Sequence, residues 1–151
     1  MPKATPKLSS RNIWRLAKAG SIAMLNKILL VFCGGGAGSV ARFGMMNFIS
    51  RFTAGGSGFP WHTLGVNIAG AFIIGILMEL LGLRLSATEP TRLLLVTGFL
   101  GGFTTFSAFS LESALMLEKG DTANLAAYIL FSVVGTIAAV FLGSFIVKSI
   151  S

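Results

Sequence analysis

The run GFLGGFTTFSAFS, residues 98–110, sets four phenylalanines, two adjacent threonines, two serines and a glycine pair inside an otherwise apolar stretch. Gly101-Gly102 and Thr104-Thr105 are poor formers of a helix interior. An interruption there would leave backbone carbonyls without donors, which a dry environment tolerates only where protein, water or an ion satisfies them. Broken membrane helices use such freed carbonyls to hold cations. The spacing therefore points to a small cation at the break, or a second copy of the break set against it. A kink filled by neighbouring helices alone is the plain alternative. Phe99, Phe103, Phe106 and Phe109 recur at spacings of four, three and three, near one helical face. Such a stripe either packs against core and lipid or turns positive ring edges toward an anion.

Other polar residues are scattered through apolar sequence. Asn67, within GVNIAG, carries an amide that is expensive to bury unless partnered. It either bonds a neighbouring helix or offers its two N–H donors to an anion. Tyr128, Ser132, Thr136 and Ser144 are spaced by four or eight and form a slowly rotating hydroxyl stripe. Each hydroxyl can donate to a passing anion or bond back to its own helix. Glu112 follows Phe109 by three residues, and it either snorkels to an interface or lines a polar path. Arg42 either snorkels likewise or lends positive potential to an aqueous vestibule. Cys33 is the sole cysteine, which excludes an intrachain disulfide and a zinc cluster. His62, the sole histidine, sits beside Trp61 and reads as an interfacial residue. No nucleophile–base pair appears, so enzyme chemistry has no support. The glycines between Gly34 and Ser39 lack the flanking strand and the Gly-Lys-Ser/Thr ending of a phosphate loop.

The elements that must position these groups follow from composition. Of 151 residues, 54% are hydrophobic and 11% charged, with mean hydropathy +0.82. A soluble domain carries about 25% charged residues, so the chain reads as an all-α integral membrane protein. Four spans are predicted, at about 28–50, 63–83, 93–117 and 125–147, the third broken at its middle. Gly34, Gly35, Gly36 and Gly38 in the first, and Gly65, Gly70 and Gly75 in the second, suit close helix packing. Residues 1–26 form a separate basic extension with the pattern of a short amphipathic helix on a membrane surface, and anionic lipid rather than nucleic acid is its expected partner. An organellar transit peptide is the other reading of this acid-free stretch.

Charge asymmetry bears on insertion. An even number of spans puts both termini on one side. Around the core, Lys27, Arg84, Arg92 and Lys148 lie on the terminal side, against Arg51, Lys119 and Arg42 on the other. That near-balance lets the core insert either way. The extension adds Lys3, Lys7, Arg11, Arg15 and Lys18 to one side, and so favours one orientation.

The stretch GGGAGSVAR ending in Arg42, the stretch FPWHTLGVNIAG around Asn67, and VTGFLGGFTTFSAFSLE from Val96 to Glu112 together resemble the Fluc/CrcB family of small fluoride channels. The resemblance covers roughly 27–148, with the last span matching more loosely. It implies an antiparallel homodimer with two pores, in a bacterial inner membrane. It implies a structural sodium ion at the dimer centre, held by the carbonyls of Gly101 and Thr104 from both subunits. By position it implies pore roles for Phe106, Phe109 and Asn67, a hydroxyl track through Thr105 or Ser107 and through Ser132 and Thr136, and a family acid at Glu112. His62 stands where a small residue is expected. The basic extension departs from a dual-orientation homodimer, and raises instead a pair with an oppositely inserted paralogue, or trimming of the extension. The rival readings are a small four-helix proton-coupled exporter, which would need a carboxylate in the first span, and a non-transporting membrane subunit.

Overall fold

The computed structural model describes residues 10–53, 58–84 and 88–150; the side chains of residues 10–17, 19, 83 and 84 are not described. Residues 1–9 of the extension thus lie outside the described residues, as does the surface pattern expected of residues 10–17. Helix α1 runs unbroken from Ser10 to Thr53. No proline falls in it, so the backbone does not pause at residue 26, where the sequence suggests a boundary. Its 44 residues extend about 66 Å, more than twice the roughly 30 Å of bilayer hydrocarbon.

Helix α2 spans Trp61–Glu79 and passes into a π-helical stretch, Leu80–Arg84. The third crossing is composite. Helix α3, Glu89–Arg92, leads into π-helical Leu93–Leu100 and the single turn α4, Gly101–Phe103. Thr104 and Thr105 then take extended dihedrals, with ψ of 156° and 110°, before α5 begins at Phe106 and runs to Glu118. Gly120, at φ 72°, reverses the chain, and Asp121 caps α6, Thr122–Ser149, by accepting from the Asn124 N–H. The stretches long and apolar enough to cross a membrane are Gly20–Thr53, Trp61–Gly82, Glu89–Glu118 and Thr122–Ser149. The first, third and fourth contain their expected spans, the second ends at Gly82, one residue short of the expected 83, and the first is longer because α1 continues N-terminally.

Two glycine contacts set the spacing of the bundle. A Cβ built on Gly34 or Gly38 would overlap the carbonyl oxygens of Leu94 and Phe99, so α1 lies directly on the π-helical part of the third crossing. A Cβ on Gly75 would overlap the Val140 carbonyl, and one on Gly143 the Phe72 carbonyl, so α2 and α6 meet backbone to backbone. Buried apolar side chains are few. One cluster joins Leu64, Met116 and Tyr128, flanked by Phe59, Ile68, Phe109 and Leu125, where α2, α5 and α6 converge. Phe32, Phe43, Phe106, Phe141 and Phe145 are each more than 60% exposed. Apolar surface on that scale belongs against lipid or another protein.

Candidate functional site

The break at Thr104-Thr105 is held from α2. Asn67 Nδ2 donates to the Thr105 carbonyl at 3.1 Å, and the Thr105 N–H donates to Asn67 Oδ1 at 2.8 Å. In a continuous helix that N–H would close on the Gly101 carbonyl; the Asn67 amide takes it instead. One turn on, the Ala108 N–H goes to Thr105 Oγ1 at 3.2 Å rather than to the Thr104 carbonyl. The Thr104 N–H and hydroxyl both close on the Leu100 carbonyl, each at 3.0 Å. The N–H groups that a continuous helix would send to the Gly101 and Thr104 carbonyls are thus both taken by side-chain oxygens, which frees those carbonyls of their helical i+4 donors.

A cavity of about 390 Å³ opens at this break. Gly101, Thr104, Thr105, Phe106 and Phe109 line it from the third crossing, Asn67 from α2, and Ser132 and Thr136 from α6. The apolar remainder includes Ala71, Ile74, Val96, Leu100 and Val133. Phe106 and Phe109 sit with centroids 5.4 Å apart, and Phe106 is 78% exposed, so its ring serves the cavity and the outer surface rather than a core. Ser132 is buried, and its Oγ has no partner among the described residues. Thr136 Oγ1 bonds back to the Ser132 carbonyl at 2.6 Å, so its hydroxyl proton is already committed to its own helix.

Three expected residues stand outside the cavity wall. Ser107 is exposed, and its hydroxyl meets Thr105 Oγ1 at 3.2 Å. Arg42 is half-buried on α1. Glu112 lies one turn beyond Phe109, where Thr63 Oγ1 donates to its Oε1 and Tyr128 OH to its Oε2, each at 2.6 Å. His62 Nε2 lies 3.2 Å from the same Oε1. The Tyr128 ring in turn packs on Phe109, at 5.1 Å between centroids. Glu112 is thus a fixed hub joining α2, α5 and α6, not a side chain reaching out to the interface. Sequence reasoning missed Thr63, although it stands four residues before Asn67 and therefore on the same helical face.

The freed carbonyls suit a hard monovalent cation, for which oxygen is the fitting donor, and unwound carbonyls hold sodium in other membrane proteins. One chain offers two such carbonyls, too few to replace a water shell alone.

A family profile described as "CrcB-like protein, Camphor Resistance (CrcB)" matches residues 29–144. The chain belongs to the CrcB family. Relatives named "Fluoride-specific ion channel FluC" include one from Agrobacterium fabrum, 52% identical over 120 residues, covering 80% of this chain and 94% of the relative. One from Chelativorans sp. is 46% identical, covering 82% of this chain and 97% of its own length. One from Rhizobium johnstonii is 44% identical, covering 85% and 100%. With four crossings and these bacterial CrcB relatives, the chain is a multi-pass bacterial membrane protein.

Proposed function

We propose that this CrcB chain is a passive fluoride channel of the bacterial inner membrane. The single observation that carries this reading is the cavity at the break, where an amide, hydroxyls and two phenylalanine rings converge in a sequence whose relatives bear that name. Fluoride is small and strongly hydrated, and it gives up water only to firm donors. Conduction needs such donors in series, none trapping the ion. The unpartnered Ser132 hydroxyl, the Asn67 amide hydrogen not spent on Thr105, and the edges of Phe106 and Phe109 supply them. Fluoride that enters the cell as HF ionises at neutral pH and leaves as the anion down the membrane potential, so no catalytic group is required. The exporter reading has no support, because α1 carries no carboxylate.

The functional unit is an antiparallel dimer with sodium at its centre. Two copies of the break, face to face, would contribute the Gly101 and Thr104 carbonyls of both subunits and complete the cation's shell. The five positive charges of the extension favour one orientation, so the second subunit is an oppositely inserted paralogue, or the extension is removed. A C-terminal topology reporter distinguishes these: equal populations of both orientations from the full-length chain, together with fluoride flux from that chain alone, rule out the paralogue.

The channel reading is tested with purified protein in liposomes and a fluoride electrode. Efflux that needs no proton gradient, and that is lost in Asn67→Ala and Phe106→Ala, is expected; a silent parent overturns it. Replacing sodium by N-methylglucamine is expected to weaken the dimer, and an unchanged dimer removes sodium from the design.

A further inference from the structure

The His62–Glu112 contact has no part in the fluoride route described above. Glu112 stands outside the cavity wall but one turn beyond Phe109, which lines it, and its carboxylate is bonded to Tyr128, whose ring packs on Phe109. Its Oε2 is occupied by Tyr128 and its Oε1 by Thr63, both neutral donors. The ionisable side chain that meets this carboxylate is His62, whose Nε2 stands 3.2 Å from Oε1. The imidazole is about one-third exposed, enough to exchange protons with the water at this face. On α2 the next charged residue is Glu79, at the opposite end of the helix. From α5 the facing group is Glu112, and from α6 it is Tyr128. Arg51 in the last turn of α1, with Glu118, Lys119 and Asp121 around the α5–α6 turn, complete the charged groups at this end. No ion pair joins them to His62 among the described residues.

We propose that His62 is the charge-setting residue of this pore mouth. Protonated, it cancels the Glu112 carboxylate that an anion must pass; neutral, it leaves that charge standing. This rests on the fluoride-channel reading and adds a determinant of permeability to it. Fluoride passage through this mouth rises as pH falls, because a protonated imidazole beside Glu112 offsets the carboxylate's repulsion.

The test uses the full-length protein in liposomes at matched internal and external pH from about 6 to 8.5, with the HF leak of protein-free vesicles subtracted. The parent's flux is expected to fall roughly three- to tenfold across that range. His62→Ala is expected to be flat at the parent's alkaline level, and His62→Lys flat near its acidic level. A flat parent, or a His62→Ala variant that keeps the slope, overturns the proposal. A second readout does not depend on transport. His62 and Tyr128 are the sole histidine and sole tyrosine, so NMR with labelled histidine and tyrosine sees one signal of each. The Tyr128 ring carbon bearing the hydroxyl is expected to shift in step with the imidazole, through the shared carboxylate, and to stop doing so in Glu112→Gln. A silent Tyr128 signal sinks the pairing whatever the flux. Coupled titration in a protein that carries no fluoride instead sinks the channel reading and leaves the pairing intact.

Discussion

Asn67 and Thr105 are joined by two hydrogen bonds that run in opposite directions, side-chain amide to carbonyl and backbone N–H to side-chain oxygen. The amide of Asn67 thereby acts as a piece of backbone borrowed from α2. It satisfies both polar groups of an unwound residue that is only 7% exposed. The same pair of bonds denies the Gly101 carbonyl its helical donor, so one side chain both stabilises the break and frees an oxygen for a cation.

Removing that side chain is expected to damage stability and transport together. Asn67→Leu leaves the Thr105 N–H and carbonyl without their partner at a buried position, at about 1–3 kcal/mol for each group. Asn67→Asp keeps the acceptor for the N–H but turns a donor into a carboxylate beside the proposed anion route, and flux is expected to fall about tenfold or more. Thermal denaturation in detergent should rank parent, Asp and Leu in descending stability, and the electrode assay should show both variants impaired. An Asn67→Leu protein as stable as the parent would mean that the break does not need its clamp.

Thr105 offers a finer separation. Its hydroxyl caps α5 through the Ala108 N–H, and its backbone is what Asn67 holds. Thr105→Ser keeps the cap and should leave stability close to the parent. Thr105→Val keeps the shape, suits the extended backbone and loses the cap, at about 1 kcal/mol. Urea or thermal unfolding of the pair reads this difference directly, and equal stability would show the cap to be dispensable.

Four crossings were legible in the sequence because bilayer solvation imposes long apolar segments that composition alone reveals. Gly101-Gly102 and Thr104-Thr105 advertised a weak point in the third, and Thr104-Thr105 is where the backbone is extended. What composition could not show was which side chain would stand in for the lost helical donors, since Asn67 and Thr105 lie 38 residues apart. The π-helical stretches Leu80–Arg84 and Leu93–Leu100 were equally hidden: their leucines and glycines fit an α-helix as well, and the widening of Leu93–Leu100 lies where α1 presses its glycines on the third crossing. His62 read as interfacial because its partner comes from α5, and periodicity along α2 carries no trace of that.

The glycines of α1 divide into two classes that substitution should separate. Gly38 faces the Phe99 carbonyl with no room for a Cβ, whereas Gly36 has nothing near it. Gly38→Ala forces backbones apart, at about 1–3 kcal/mol. Gly36→Ala meets open space and gains helix propensity of up to about 1 kcal/mol. Melting temperatures of the two variants should therefore move in opposite directions. A fall for Gly36→Ala would show that its face is covered in the assembled protein, and would mark it as part of a subunit contact.

At the opposite end of α2, Glu79 is held in a less favourable state. It is 9% exposed, its Oε2 accepts from Ser144 Oγ at 2.9 Å, and Lys148 Nζ stands 3.6 Å away, while Oε1 is shielded and has no partner among the described residues. The Lys148 side chain is 61% exposed, so water weakens its attraction and the carboxylate's desolvation is incompletely offset. Glu79→Gln keeps an acceptor for Ser144 and removes the charge, and it is expected to be neutral or stabilising. Lys148→Met is expected to cost under about 1 kcal/mol. Ser144→Ala, which strips a hydrogen bond from a charged group, should cost about 1.5–3 kcal/mol. A charge essential to the α2–α6 contact predicts the reverse, with Glu79→Gln losing about 3–5 kcal/mol. Unfolding of the three single variants under one set of detergent conditions decides between these, because Glu79→Gln moves in opposite directions in the two cases.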